Sequence, residues 1–566
     1  MSESPTAIAE NRSTSSAARL GWALLIFATL YVCYFSHLGA IGFVGPDEPR
    51  YAWIARDMAE TGDWVTPRLY GKPWFEKPPL FYWGAALSFK YLGVSEASAR
   101  LPSAISALLA TLALAWLAWR LYGAETARWL LLLLPTSVGM IGFSHAAATD
   151  MPFSSMLTIS MVCAAVVLGL TRNENSPILP RTPWLALVLF GFFLGLAVLA
   201  KGPAAIILSG GAAFFWALFT KRWRDAFRLF HPVAIAAFCA TALPWYILCA
   251  RRNPDFFRIF IIEHNFKRFL TSEFQHTQPF WYYGVVLFVA LLPWTALAVW
   301  SLIVGSVKSV RGKQLSPNAL FFLTWALFCL VFFTMSKSKL PGYILPAIPA
   351  IVMLLTRTRF ALSGEKRTAL SVSFFVLSLF FACCFAIVEY LTPHVSQANL
   401  NFGITVGLLL GVLSAANLLF GVGVSLSKKK AFGTTVAACS VLPVLLALLV
   451  TDKLLPSFFY QDPSGQTISE ELKRAEIPVK GLYVYKYMSR GQRYSLNYYL
   501  HEEIPEWDGE HPQEGYLLIG HRHTKSEAGL GFTFEEVPFD PDKTGYFLYK
   551  VRKQLPHGPA RSWQPQ

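Results

Sequence analysis

The feature that constrains this chain most is a series of long apolar stretches. Runs of roughly 18–23 residues recur along the first part of the sequence, and each is long enough to cross a bilayer as a helix. Only 15% of the 566 residues are charged, against roughly 25% in a typical soluble protein. Membrane β-strands would be shorter and alternating. The pattern therefore predicts a polytopic α-helical membrane protein and excludes a disordered chain or a conventional soluble enzyme.

The apolar runs predict about thirteen transmembrane spans. They cover residues 19–40, 101–120, 127–145, 151–170, 184–200, 204–219, 232–250, 282–304, 319–335, 343–356, 369–391, 402–425 and 432–455. With a cytoplasmic N-terminus, the short Lys- and Arg-rich connections fall inside, as the topology rule expects. These loops and contact with anionic membrane lipids account for the net charge of +15, so we expect no nucleic-acid partner.

The sequence changes character after the last apolar run. Residues 456–566 are polar and combine short apolar segments with amphipathic helix patterns, which predicts a small mixed α/β soluble domain. The segments are Leu482–Tyr485, Tyr516–Ile519, Tyr546–Val551, Ile468–Ala475 and Arg490–Leu500. The chain thus divides into a transmembrane domain, 1–455, and a C-terminal domain, 456–566. An odd number of spans places the second domain on the outer face.

The first outer loop, residues 45–100, is too long for a simple connector. It opens with Asp47, Glu48 and Arg50 on a helical stretch that runs to Gly62 and lies along the membrane surface. Further along, Glu76 and Lys77 stand in an aromatic, proline-rich segment. Asp47 could be a helix cap and Lys77 could reach lipid phosphates, but neither reading explains the carboxylates and the arginine together.

A second outer connection holds Asp150 between two apolar runs with almost no loop. A carboxylate at the membrane boundary is costly without a partner, although it could also cap the helix that follows. Asp47 and Asp150 both fall on the outer face. We therefore expect the two carboxylates to converge.

Positive charge also gathers in outer connections, where the topology rule disfavours it. Lys201, Arg268 and Lys339 stand at three such places, and phosphate binding is the physical use for them. His264, beside Glu263, is either a metal ligand or half of a local hydrogen-bonded pair. Carboxylates beside a phosphate-binding cluster at the membrane surface indicate a lipid-phosphate substrate.

These residues carry a resemblance to a known family. The chain contains, in order, Asp47-Glu48-Pro49-Arg50-Tyr51-Ala52, Phe75-Glu76-Lys77-Pro78, Asp150-Met151-Pro152, Lys201-Gly202-Pro203, Glu263-His264-Asn265 with Arg268-Phe269, and Ser338-Lys339-Leu340-Pro341-Gly342-Tyr343. It resembles the GT-C fold polyprenyl-phosphate-sugar glycosyltransferases, and within them the lipid A 4-amino-4-deoxy-L-arabinose transferases of polymyxin resistance. Members of that family often have Thr where this chain has Pro49, which leaves the donor sugar open.

The resemblance implies a role for each site residue. Asp47 and Asp150 correspond to the paired catalytic acids, supported by Glu48 and Arg50. Carrier-phosphate binding falls to a cationic and phenolic set: Lys77, Arg268, Tyr343, Lys201 and Lys339. Glu76 and His264 correspond to ligands of a divalent metal ion in some relatives, so a metal cofactor is possible but not required.

The resemblance also implies the reaction and its setting. The sugar would pass, with inversion, from undecaprenyl phosphate to a phosphate of lipid A in lipopolysaccharide. The enzyme would be a monomer in the bacterial inner membrane, with the active site and the C-terminal domain facing the periplasm. Two alternatives stay open: a polyprenyl-phosphate-mannose protein O-mannosyltransferase, and a flippase or transporter of lipid-linked sugars. The nearly charge-free spans favour an enzyme over a transport path.

Overall fold

The computed structural model describes most of the first two-thirds of the chain and much of its C-terminal part. The described residues are 16–171, 183–267, 277–301 without 296 and 300, 315–357, 465–507 without 487, 514–520 and 532–553, with isolated positions between 371 and 448. Of the predicted spans, 369–391, 402–425 and 432–455 fall mostly outside these ranges.

The membrane part is a bundle of helices. We number them α1 Ser16–Tyr34, α2 Asp47–Thr61, α3 Leu80–Leu92, α4 Glu96–Tyr122, α5 Ala124–Leu133, α6 Val138–Ser144, α7 Asp150–Val167, α8 Trp184–Lys201, α9 Ala204–Thr220, α10 Trp223–Phe227, α11 Pro232–Arg252, α12 Tyr282–Ala290, α13 Pro317–Met335 and α14 Ile348–Arg357. Two 3₁₀ helices (Arg228–Phe230, Pro341–Ala347), a π-helix (Arg258–Lys267) and a short hairpin of β1 (Arg68–Leu69) and β2 (Lys72–Pro73) complete it.

Within the described residues, five helices are long and apolar enough to cross a bilayer: α4, α7, α8, α11 and α13. The pair α5–α6 would add a sixth span, bent by 63°. α7 is the centre of the bundle, since nearly all of its side chains are buried. The chain is therefore a multi-pass membrane protein, and α2 and α7 each begin at an aspartate.

Three predicted spans differ from the observed helices. The run 127–145 is broken between α5 and α6 rather than continuous. The run 282–304 is interrupted after Ala290 by a turn over residues 291–294, which carries Pro293, and helical residues resume at 295. The run 343–356 begins as a 3₁₀ helix because Pro341 and Pro346 prevent regular α-helical bonding there. Apolar length alone does not reveal these interruptions.

The C-terminal part is a five-stranded sheet covered on one face by helices. The added elements are α15 Gly465–Arg474, β3 Leu482–Tyr485, α16 Arg490–Leu500, β4 Glu506–Trp507, β5 Glu514–Gly520, β6 Phe532–Val537, α17 Pro541–Thr544 and β7 Tyr546–Lys553. The strand order is β4-β3-β5-β7-β6, in which β3 is parallel to β4 and β5, and β7 is antiparallel to β5 and β6. Ile468, Leu472 and Leu496 of the helices pack on Val484 and Leu548.

The helices α15 and α16 and the strands β3, β5 and β7 overlap the five segments predicted from the sequence. β4 and β6 were not predicted, because β4 has only two residues and no side chain of β6 is fully buried. The division at residue 455/456 stays a prediction, since the described ranges leave that junction out.

Candidate active site

The first half of the site stands at the N-terminal end of α2. Pro46 precedes the helix and Gly62 ends it in a left-handed conformation, φ +73°, donating to the Met58 carbonyl. Asp47 makes no capping hydrogen bond, so the capping interpretation is wrong. Its carboxylate instead accepts from Arg50 Nη2 at 2.5 Å, while its side chain remains 49% exposed.

Arg50 links Asp47 to the proline-rich segment. Its Nη2 also lies 3.1 Å from Glu76 Oε2, and Glu76 Oε1 lies 3.7 Å from Lys77 Nζ. We call these four residues the Asp47 network. Arg50, Glu76 and Lys77 are largely buried, and Asp47 alone is open to solvent. The network therefore presents one accessible carboxylate held by a fixed guanidinium.

Burial acts against the charge of the Arg50 guanidinium, but the nearby Glu76, Tyr51 and Asp47 outweigh it and hold its pKa above its ordinary value. Burial, reinforced by the charges of Glu76 and Asp47, raises the pKa of Tyr51 well above its ordinary value. Arg50 therefore stays cationic and Tyr51 stays neutral throughout the physiological range.

The second half of the site stands at the N-terminal end of α7. Asp150 makes no capping hydrogen bond, so its capping interpretation is also wrong. Its Oδ1 accepts from Lys201 Nζ at the C-terminal end of α8, and Lys201 lies 4.5 Å from the centroid of the Tyr343 ring. Gly342 fits against the Asp150 carboxylate so closely that a Cβ would fall 2.2 Å from Oδ1. We call Asp150, Lys201 and Tyr343 the Asp150 cluster.

A buried clamp joins the two helix ends. Glu48, next to Asp47, accepts from Arg100 Nε at 2.9 Å and Nη2 at 2.8 Å, and its Oε1 accepts the Ala147 amide at 2.7 Å. Arg100 also donates to three carbonyls, those of Leu38, Ile41 and Gly42, at 2.8–2.9 Å. Because Ala147 stands three residues before Asp150, this clamp holds the two aspartate-bearing termini at one end of the bundle.

Arg100 is a site residue that the sequence reasoning missed. It stands at the start of an apolar run, where an arginine is costly unless it is paired. That position was the available signal. What the sequence did not contain was its partner, since Glu48 lies 52 residues away along the chain.

The remaining predicted phosphate ligands are placed unevenly. Lys339 is buried and donates to the Gln278 carbonyl at 3.1 Å, beside the turn that carries Tyr343. Arg268 lies outside the described residues. The structure thus brings Lys77 to the Asp47 network, and Lys201 and Tyr343 to Asp150.

A metal site requires several ligands at once. Within the described ranges, no three His, Cys, Asp or Glu side chains gather, and Arg50 and Lys77 already flank the Glu76 carboxylate. The described residues therefore do not form a ligand set around Glu76, and we derive no step through a metal. The metal assignment of Glu76 and His264 stays a prediction.

Comparison with known proteins identifies the class. Residues 20–260 match the dolichyl-phosphate-mannose-protein mannosyltransferase family. The fold is similar to that of ArnT from Cupriavidus metallidurans bound to undecaprenyl phosphate, with a TM-score of 0.76 over 94% of this chain and 98% of that one at 22% identity. The membrane bundle therefore has the GT-C fold that the resemblance implied.

Two relatives specify the family. The chain is 32% identical over 378 residues to the undecaprenyl phosphate-alpha-4-amino-4-deoxy-L-arabinose arabinosyl transferase of Aeromonas salmonicida, covering 67% of each. It is 28% identical over 534 residues to the enzyme of the same name from Edwardsiella ictaluri, covering 88% of this chain and 93% of that one. The chain belongs to this family of arabinosyl transferases, and the transporter alternative is thereby wrong.

Proposed function

We propose that this protein transfers 4-amino-4-deoxy-L-arabinose from undecaprenyl phosphate to a phosphate of lipid A. Family membership supports this choice of donor, since the relatives are named for transfer from undecaprenyl phosphate-alpha-4-amino-4-deoxy-L-arabinose. The observation that carries the proposal on the structural side is one accessible carboxylate, Asp47, beside cations at the same end of a membrane bundle. Such a pairing suits a substrate that contains both an amino sugar and a phosphate.

The reaction is a displacement at the anomeric carbon. An acceptor phosphate oxygen forms the new C–O bond as the bond from the anomeric carbon to the carrier-phosphate oxygen breaks, and undecaprenyl phosphate leaves with the bonding electron pair. Attack from the opposite face inverts the configuration. The acceptor phosphate is already ionised near neutral pH, so no proton has to be removed from it.

The carrier phosphate would be held by four cations and one phenol: Lys77, Lys201, Lys339, Arg268 and Tyr343. Charge grows on that phosphate as the sugar leaves, so cations placed there stabilise the transition state more than the ground state. Lys201 is fixed by Asp150, and Lys77 by Glu76. Preorganised cations need little rearrangement during reaction, which is the source of their effect.

Asp47 would contact the sugar. Its exposed carboxylate can pair with the cationic 4-amino group and orient the anomeric carbon for in-line attack. Were the acceptor a hydroxyl, the same carboxylate would act as its general base. Asp150 would act by holding Lys201 and Tyr343 in place, because its charge is already neutralised by the lysine.

The setting belongs to the proposal as well. We place the enzyme as a monomer in the bacterial inner membrane with thirteen spans, its site and C-terminal domain facing the periplasm, where lipid A and a lipid-borne donor meet. The Lys- and Arg-rich connections between alternate spans support this orientation.

One observation favours a second candidate. The match of residues 20–260 to dolichyl-phosphate-mannose-protein mannosyltransferases supports transfer of mannose to a protein hydroxyl. In that reaction Asp47 would have to remove the hydroxyl proton.

Mass spectrometry of lipid A from cells with and without this protein separates the candidates. The first predicts a pentose-amine addition on the lipid A phosphates that requires the protein. Unchanged lipid A together with altered glycoproteins would support the second. Purified protein reconstituted with undecaprenyl-phosphate-linked aminoarabinose and lipid A should give the same product.

A further inference from the structure

The C-terminal domain touches the catalytic end of the membrane domain. Its helix α16 lies against α2, the helix that begins at Asp47. Tyr499 donates to Glu96 Oε1 at 2.6 Å and accepts from the Phe43 amide at 3.1 Å. Asn497 donates to the Tyr70 hydroxyl at 3.0 Å. These contacts hold α16 against Phe43, which precedes Asp47 in the chain, and against Tyr70 and Glu96.

The contact is closest at the turn before Asp47. Gly491 of α16 meets Gly45, and a Cβ on Gly491 would lie 3.2 Å from the Gly45 carbonyl carbon. Gly45 itself has a φ of +67°, a conformation that glycine adopts without strain. The backbone of the C-terminal domain therefore limits where the turn that delivers Asp47 can go.

One side chain of α16 reaches the Asp47 network directly. The Arg50 guanidinium lies over three aromatic rings, at 5.2 Å from Tyr51, 5.5 Å from Trp74 and 5.6 Å from Tyr494. Within the described part of the chain, Arg50 Nε has no hydrogen-bond partner, although it is buried. Its Nη2 lies within ion-pair distance of the carboxylates of Asp47 and Glu76. The rings therefore supply much of what fixes the plane of this guanidinium.

We infer that the C-terminal domain forms one wall of the active site and that Tyr494 is a positioning residue, which acts on Asp47 through Arg50. Two rings of the aromatic enclosure come from the membrane domain and the third from α16. Without the third ring, the Arg50 guanidinium can tilt into the space left by Tyr494 and shift the Asp47 carboxylate to which it is bonded. This inference rests on the proposed function for the role of Asp47, but the contact itself does not.

The variants Tyr494→Leu and Tyr494→Phe separate the ring from the hydroxyl. Because Leu removes the ring that faces the Arg50 guanidinium, it should lower kcat about tenfold. The KM for undecaprenyl-phosphate aminoarabinose should change less than about twofold. Phe keeps the ring face and should retain kcat. A merely structural role for Tyr494 would reduce the yield of folded protein without this split between kcat and KM.

The variant Arg50→Lys tests the route of the effect. Lysine cannot hold two carboxylates through a planar fork, so its own activity is low. Adding Tyr494→Leu to it should then cost nothing further, because the ring acts only through the guanidinium. An additive loss would overturn the proposed route, and so would a Phe variant as poor as Leu.

Hydrogen exchange at the amides of residues 47, 48, 50 and 51 provides a readout independent of activity. Tyr494→Leu and Gly491→Ala should both exchange faster there than wild type. Glu506→Gln, which removes only the ion pair to Arg493 inside the C-terminal domain, should match wild type in exchange and kcat. Unchanged exchange in the first two variants overturns the inference. A wild-type enzyme that transfers no aminoarabinose but shows the exchange pattern overturns the proposed function alone.

Discussion

The two aspartates begin comparable helices but live in different surroundings. Asp47 starts α2 with its side chain 49% exposed, whereas the Asp150 side chain at the start of α7 is 20% exposed and is held by Lys201. Asp47 also shares its arginine with Glu76, so the guanidinium is divided between two carboxylates. Within the described part of the chain, Lys201 pairs with no carboxylate other than that of Asp150.

This difference in exposure and pairing suits the two carboxylates to different roles. A carboxylate that is open and only partly neutralised can meet a substrate cation or a proton. One that is neutralised and enclosed by its neighbours can chiefly orient them. Two acids at one site therefore need not share one role, a division that enzymes make by environment rather than by residue type.

The variant Asp47→Asn tests whether the exposed aspartate is the one that contacts the substrate. Because the substrate-facing charge is lost while Arg50 keeps Glu76, the fold should persist and kcat should fall about 10²-fold or more, as expected when a contact that orients the substrate is lost. Aminoarabinose transfer in proteoliposomes measures this. Asp255→Asn is the matched control, since it removes an exposed carboxylate that pairs with Arg258. Near-normal turnover by Asp47→Asn would remove Asp47 from the reaction.

Glu48, beside Asp47, should behave in the opposite way. Glu48→Gln leaves Arg100 charged and buried without a carboxylate, which costs about 3–5 kcal/mol of folding free energy. Thermal unfolding in detergent should reveal it as a lower midpoint. Glu60→Gln on the same helix loses only exposed partners and should change stability by about 1 kcal/mol or less. If the two variants unfold alike, Glu48 is no clamp.

The sequence predicted the parts of this site whose signal is local. Asp47, Glu76 and Asp150 stood out because carboxylates at a membrane boundary are costly, and the helix over 47–61 followed from its proline start and glycine end. The two helices and three strands of the C-terminal part were visible from their periodicity. Composition and run length were sufficient for the fold class.

What the sequence did not predict was pairing across distance. Glu48 and Arg100, or Arg50 and Tyr494, meet because helices pack in one particular way, and a single sequence contains no record of that. The capping interpretation of Asp150 failed for the same reason, because its partner Lys201 lies at the end of another helix. Asp47 also forms no cap, but its partner is local: it pairs with Arg50 one turn further along its own helix.

The Asp150 side of the comparison can be sharpened at Gly342. In Gly342→Ala the new methyl would fall 2.2 Å from Asp150 Oδ1 and 2.6 Å from its carboxyl carbon, so the carboxylate and Lys201 must move. Since small misplacements of positioning groups reduce rates strongly, kcat should fall about 10–100-fold. Gly142→Ala is the control, because a Cβ there would have nothing within 4 Å. Equal activities would show that Asp150 positions nothing.

Chelation should have the smallest effect, and it tests what neutralises the Asp47 side. In the described residues Arg50 and Lys77 flank Glu76 on its two oxygens, and cations already present leave little for a metal ion to add. Transfer after extraction with a chelator should therefore stay within about twofold of the untreated rate, and Glu76→Gln should lose activity equally with and without chelator. A rate that collapses on chelation and returns with a divalent ion, but not in Glu76→Gln or His264→Ala, would make a metal the charge partner at Asp47. The two aspartates would then differ in their charge partner, a metal ion for Asp47 and a lysine for Asp150, rather than in the exposure of their side chains.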